Sequence, residues 1–265
     1  MLGVVAFAAF GVRTTAPGVL TGVSAVEGDQ AVAGAVETFP EEAPAPFAAI
    51  PDAAKAAPGD APPLETLTGY RWPIAHPRLT LPFGPTPWGT RVVDGQLFHD
   101  GIDLATFCGD RIMAAHDGVV LAASRHFDDE MGWVGDLGPY YRRLDAKQLW
   151  STLPIVVVID DGNGYRSVYA HFSKVTVKVG DRVRAGQRIG FEGMTGRASG
   201  CHLHYDLFSP FEADRFAMEP GVVKRMKLPT SEIARVDPML VLPPFPMKGP
   251  QRVPPVGLDL SPAER

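Results

Sequence analysis

The chain has 265 residues, 45% hydrophobic and 21% charged, with a formal net charge of −5. That length suits one sizeable domain or two small ones, with enough apolar residues for an ordinary core. The acidic balance argues against a nucleic-acid partner, which needs a basic face, and offers no attraction to an anionic membrane.

The chain opens on an apolar run, Met1–Val12, before Arg13. It is shorter than the ~20 residues a membrane span needs. It resembles the apolar part of a secretory signal that lacks its basic start, and Val23-Ser-Ala25 is a small-residue cleavage candidate. Residues 1–26 are therefore expected to be a signal or membrane-proximal segment, a candidate membrane tether. The protein is expected to act outside the cytoplasm: secreted, periplasmic or envelope-associated. Residues 27–63 include Pro40-Glu-Glu-Ala-Pro-Ala-Pro46 and Ala56-Ala-Pro-Gly-Asp-Ala-Pro-Pro63. Such a composition cannot bury enough apolar area to offset chain entropy and reads as an Ala/Pro-rich linker.

Of 26 prolines, only Pro139 and Pro154 lie between Pro87 and Pro210. Proline removes a ladder donor and is kept out of central strands, so this middle region is where a continuous sheet can form. A folded domain is expected over residues 64–246, followed by a Pro-rich tail, 247–265.

Within the domain, Asp117–Ala123 reads as a strand. Residues Ser124–Leu153 depart from the strand pattern. Pro139 followed by Tyr140-Tyr-Arg-Arg-Leu-Asp-Ala-Lys-Gln-Leu-Trp150 predicts a short helix with proline in its first turn. This insertion either packs its aromatics on the sheet, the preferred reading, or walls a substrate groove. Ile155-Val-Val-Val-Ile159 is β-branched almost throughout, as a strand buried on both faces is. The turn Asp160-Asp-Gly-Asn-Gly164 leads it into Tyr165–His171, which predicts a hairpin delivering His171 at its far end. Val175–Gly190 reads as short strands between Gly-containing turns, and His202–Phe208 as a final strand. The fold class is mainly β, with antiparallel sheets in a barrel- or sandwich-like domain and a short, partly helical insertion.

Three places concentrate metal-ligating side chains: His99-Asp-Gly-Ile-Asp103, Tyr169-Ala-His171 and His202-Leu-His204. In a strand, residues two apart share a face. His202 and His204 would point one way and Leu203 and Tyr205 the other. His99, Gly101 and Asp103 would likewise share a face opposite Ile102 and Leu104, with Gly101 leaving room for a metal. Catalytic zinc takes three protein ligands and keeps one position for water. Five groups exceed a ligand set, and a hydrolase also needs groups to handle protons. His76, His116 and His126 are read as ordinary surface or core residues.

Neither Cys108 nor Cys201 sits in a CxxC pair, which argues against a structural zinc finger. In an exported protein two cysteines suggest one disulfide. Cys201 has the opposite strand parity from His202 and His204, which favours that bond over thiolate ligation.

Together with Leu81-Pro-Phe-Gly84 and Gly193-Met-Thr-Gly-Arg-Ala-Ser-Gly200, these motifs make residues 72–242 resemble a LytM/lysostaphin-type zinc metalloendopeptidase of the M23 peptidase family. The resemblance implies that His99, Asp103 and His204 bind one Zn2+ per chain and that His171 and His202 are the catalytic histidines. It implies hydrolysis of peptide bonds in cell-wall peptidoglycan by a zinc-activated water, with peptidoglycan peptides as partners and a monomeric chain. The acid and base roles of the two histidines stay undivided. Asp206 either orients a ligand histidine or is an ordinary polar residue at a strand end, the preferred reading. The insertion and the long route from Ser209 to Val236 depart from a compact family domain, and both bear on substrate preference.

Two other functions compete. A non-catalytic peptidoglycan-binding or amidase-activating module on the same fold would typically have lost site residues, whereas all five are present. Val179–Ile189 resembles a hairpin of biotinyl and lipoyl carrier domains, but without a modified-lysine motif beside it.

Overall fold

The computed structural model describes residues 59–228 and 232–245. The signal-like segment, most of the linker and the tail lie outside these residues. No helix among the described residues is long and apolar enough to cross a membrane.

The described strands run in chain order as β1 Arg78–Leu81, β2 Gly84–Pro85, β3 Arg91–Val93, β4 Gln96–His99 and β5 Ile102–Ala105. Then follow β6 Arg111–Met113, β7 Gly118–Ser124, β8 Val156–Asp160, β9 Arg166–Ala170 and β10 Lys174–Val175. The last are β11 Arg182–Val183, β12 Arg188–Phe191, β13 Leu203–Phe208, β14 Phe216–Met218 and β15 Glu232–Ile233. Two α-helices accompany them, α1 Gly138–Lys147 and α2 Pro220–Met226.

All the strand pairings are antiparallel, and they make three sheets. The central sheet has seven strands in the order β1-β5-β13-β9-β8-β7-β11. A five-stranded sheet runs β15-β14-β3-β4-β2, and a three-stranded one β10-β12-β6. The mainly antiparallel β expectation holds. The sheets do not close into a barrel: β1 and β11 end the central sheet without pairing to each other.

The hairpin β8–β9 forms as its sequence requires, with Val157 opposite Tyr169 and Asp160 opposite Arg166. Val156 to Ile159 are buried in succession because both faces of the central sheet are covered. On one face Val157, Ile159, Tyr169, Leu203, Tyr205 and Leu207 join Ile102 and Leu104 in the main core. On the other, Val156, Val158, Val168, Ala170 and Phe208 cluster with Tyr140 and Leu144 of the insertion, Met218 of β14 and Val222 of α2. The two stretches that depart from a compact domain thus build a second core.

The predicted helix forms as α1, with proline in its first turn and Gln148 closing it in the left-handed region at φ 52°. Tyr140 and Leu144, four residues apart, share its buried stripe. Tyr141 stacks on Trp150 at the half-exposed surface. The aromatics of the insertion therefore pack on the sheet, as preferred. Just after the insertion, the backbone N–H of Ile155 donates to Oγ1 of Thr195, in the loop ahead of His202, at 3.0 Å. At the start of the described residues, Gly59 N–H donates to Phe211 O at 2.7 Å and Tyr165 Oη to Pro62 O at 2.8 Å.

Candidate metal centre

Register across the central sheet builds the site. Strand β13 lies between β5 and β9, with His204 opposite Asp103 on one side and Ala170 on the other. His171 follows Ala170 directly. Its backbone lies in the left-handed region at φ 71°, costly for a side chain with a Cβ. His202 stands one residue before β13, its backbone bridged to Gly193, and shares the face of His204 as parity predicts. Leu203 and Tyr205 are buried in the core on the opposite face.

His99 and Asp103 do not share one strand, contrary to the sequence expectation. His99 ends β4 of the five-stranded sheet and Asp103 lies in β5 of the central one. The chain crosses between sheets at Asp100–Gly101, yet the two side chains still converge. Gly101 makes the crossing possible by close approach. A Cβ there would stand 2.5 Å from Oδ1 of Asp206, 2.7 Å from Tyr205 O and 2.9 Å from Cε1 of His204. The space it leaves serves Asp206 and the back of the His204 ring.

Three atoms face one another at the centre. Oδ1 of Asp103 is 2.8 Å from Nδ1 of His204 and 3.2 Å from Nε2 of His99, and the two nitrogens are 3.1 Å apart. Oδ2 of Asp103 is 3.7 Å from Nε2 of His202. The rings of His171 and His202 adjoin, with centroids 4.6 Å apart.

Three of the four histidines have a ring proton placed by a backbone carbonyl. Nδ1 of His99 faces Pro82 O at 3.0 Å, Nδ1 of His171 faces Thr195 O at 2.7 Å, and Nδ1 of His202 faces Gly200 O at 2.9 Å. A carbonyl only accepts, so each Nδ1 carries the hydrogen and each Nε2 keeps a lone pair. His204 differs: both its nitrogens face carboxylates, Nδ1 hydrogen-bonding Oδ1 of Asp103 at 2.8 Å and Nε2 lying 3.1 Å from Oδ1 of Asp206. Nε2 of His99, Oδ1 of Asp103 and Nδ1 of His204 thus converge on one point.

Charge in the site follows from this geometry. Burial alone would raise the Asp103 carboxyl, but the adjoining imidazoles, His204 by its hydrogen bond first and His99 next, hold it well below the usual range. Burial alone would lower the His204 imidazole, but Asp206 and Asp103 push it well above its ordinary value. Burial, with His204 next, lowers His171 to about 4.

His99, Asp103 and His204 group as residues that could hold a metal ion, and their spacing fits a tetrahedral one. Zn–N and Zn–O bonds of about 2.0–2.2 Å put neighbouring ligand atoms roughly 3.3 Å apart. The observed separations of 2.8–3.2 Å come close to this. His116 instead contacts Asp117 O and Thr68 O, and His126 stacks on Trp150.

Asp206 is buried in the middle of β13, not a surface residue at a strand end, and its Oδ1 lies 3.1 Å from Nε2 of His204. The preference for an ordinary polar residue is corrected. The signal was a second parity step, since 202, 204 and 206 share one face. Sequence reading also missed Asp100 and Arg235, which stand behind Asp206, because neither belongs to a recognisable spacing. Cys108 and Cys201 are disulfide-bonded, with Cα atoms 5.3 Å apart, so the bond ties the loop after β5 to the residue preceding His202. Glu192 holds the same two loops together, its carboxylate accepting from Oγ1 of Thr106 at 2.8 Å and from Thr106 N–H at 3.3 Å.

Residues 144–214 match Peptidase family M23. The resemblance to that family is borne out. The matched stretch contains His171, His202 and His204, whereas His99 and Asp103 precede it. The chain is 34% identical over 137 residues to the peptidoglycan DD-endopeptidase ShyA of Vibrio cholerae, an alignment covering 52% of this chain and 26% of that protein. It is 33% identical over 138 residues to the glycyl-glycine endopeptidase ALE-1 of Staphylococcus capitis, covering 52% of this chain and 31% of that protein. The chain therefore spans about a quarter to a third of the relatives it matches. Among solved structures, the catalytic domain of lysostaphin from Staphylococcus simulans aligns over 62% of this chain and 90% of that one, at 23% identity and a TM-score of 0.39.

Proposed function

We propose that this M23-type chain is an exported, zinc-dependent endopeptidase that hydrolyses peptide bonds of cell-wall peptidoglycan. The observation that carries the reading is the convergence of three ligand-type atoms, on His99, Asp103 and His204, within 3.2 Å of one another, with the rings of His171 and His202 beside them and each anchored through Nδ1 to a backbone carbonyl. A zinc ion held by the three would act as a Lewis acid and supply an activated water at neutral pH.

The remaining steps belong to the chain. Nε2 of His202 and of His171 can each take a proton and return it to the leaving amine, since each ring is anchored through Nδ1 to a backbone carbonyl. With its pKa held down to about 4, His171 is neutral near pH 7 and able to accept. Once protonated, either ring places positive charge where the carbonyl oxygen gains negative charge. The ring planes are set in advance, so little reorganisation is required. Wall peptides as substrate are supported by the printed activities of ShyA and ALE-1.

The test is digestion of defined cross-linked muropeptides by the purified chain, with product masses and zinc content measured together. Cleavage that stops on chelation, returns with Zn2+ and is lost in His204→Ala is expected. Equal cleavage by the chelated protein overturns the zinc reading. Stoichiometric zinc without cleavage favours the non-catalytic wall-binding alternative.

A further inference from the structure

Behind His204 lies a row of buried charges that the reaction does not itself use. Oδ1 of Asp206 lies 3.1 Å from Nε2 of His204, and its Oδ2 is 3.4 Å from Nε of Arg235. The same Nε is 3.6 Å from Oδ2 of Asp100, which pairs with Nη2 of Arg91 at 2.7 Å. The side chain of Arg235 has no exposed surface, and those of Asp206, Asp100 and Arg91 have almost none. Two carboxylates and two guanidinium groups thus balance in a space with little water.

Burying an arginine costs several kcal/mol by desolvation, so this one needs partners. Its Nη1 donates to Met131 O at 2.9 Å and Ala234 O at 2.6 Å, and its guanidinium carbon lies 4.9 Å from the centre of the Phe208 ring. Those contacts aim the fork; they do not require that it end between two acids. Asp100, His204 and Asp206 by themselves form a second set of grouped ligand atoms. The guanidinium stands between the two carboxylates, so a second cation has no place there and Asp206 is left to serve His204.

We propose that Arg235 is a positioning residue for the metal centre. It holds the Asp206 carboxylate by one oxygen so that the other fixes the His204 ring, with Nδ1 turned toward Asp103 and His99. Arg235 lies outside the stretch that matches the M23 family and arrives on the long route from Ser209 to Val236. Part of the support for the metal centre is therefore built by a departure from the compact domain. This inference rests on the zinc reading above.

The test is zinc affinity, measured on the full chain by competition with a chromophoric chelator, for wild type, Arg235→Met, Asp206→Asn and the double variant. Folding is checked by circular dichroism. Support through an outer partner of a ligand histidine is commonly worth about 10–100-fold in metal affinity, and that loss is expected for each single variant. Because Arg235 acts through Asp206, the double variant should lose no more than about threefold beyond Asp206→Asn. Wild-type affinity in Arg235→Met with a lowered melting temperature, or losses that multiply in full, overturns the inference. If Arg235→Met does not fold, Arg235→Lys is read instead. It keeps the charge without the planar fork, and wild-type affinity in that variant also overturns the inference. A wild-type chain that binds no zinc overturns the zinc reading and this inference together, and so is distinguished from a failure of Arg235 alone.

Discussion

Oδ1 of Asp206 lies 3.1 Å from Nε2 of His204, on the far side of the ring from Asp103, whose Oδ1 is 2.8 Å from Nδ1. One imidazole is thus gripped at both nitrogens by carboxylates. With zinc bound as proposed, the inner one would share the metal, and the outer one would orient the ring and raise the basicity of its Nδ1. Asp206→Asn removes the charge but keeps the size. It should weaken zinc binding by about 10–100-fold, with kcat falling because less metal stays in place. Restoring activity by excess Zn2+ checks this, since a misfolded variant would not recover.

Gly101 is the crossing point between two sheets, and a methyl group there would press on Asp206, His204 and the backbone of Tyr205. Its backbone is not in the left-handed region, so Gly101→Ala tests space alone. We expect about 1–3 kcal/mol of destabilisation from overpacking, together with loss of zinc. Urea unfolding monitored alongside metal content measures both. An unchanged midpoint would mean that β13 can recede without cost.

The Cys108–Cys201 bond closes a sequence separation of 93 residues. Disulfides over long loops typically contribute about 2–4 kcal/mol, largely by restricting the unfolded chain. Reduction, or Cys108→Ser with Cys201→Ser, should lower the unfolding midpoint accordingly. Cleavage should fall as well, because Cys201 immediately precedes His202. Denaturation curves with and without reductant, paired with muropeptide digestion, give the comparison.

Asp128, within the insertion, is buried with neither carboxylate oxygen hydrogen-bonded. Burial, assisted by Asp129, pushes its carboxyl up to about 7. The folded state then keeps a proton that the unfolded chain releases near pH 4, so stability declines as pH rises from about 4 to 7 and stays reduced above. Asp128→Asn should flatten that decline and stabilise the protein at pH 8 by roughly 2–4 kcal/mol. Unfolding free energies at pH 4.5 and pH 8 for both proteins decide the point. A parallel slope in the variant would assign the decline to other groups.

Local pattern in the chain determined much of this protein. The β-branched run to Ile159 and the turn to Gly164 sufficed for the hairpin that delivers His171, because a tight turn pairs neighbouring strands. Alternation placed His202 and His204 together and sent Leu203 and Tyr205 into the core, because side chains in a strand have a period of two. Pro139 marked the start of α1, since its ring fits a first helical turn. What the tertiary structure decided was every relationship that spans distant strands. His204 meets Asp103 across 101 residues of sequence, and only strand register brings them level. His99 and Asp103 reach one point from different sheets, which no single-strand pattern describes. The open edges at β1 and β11, the use of Asp206 to hold a ring and the approach of Arg235 to Asp100 follow from packing between faces. Periodicity tells which way a side chain points, and packing alone decides what it meets.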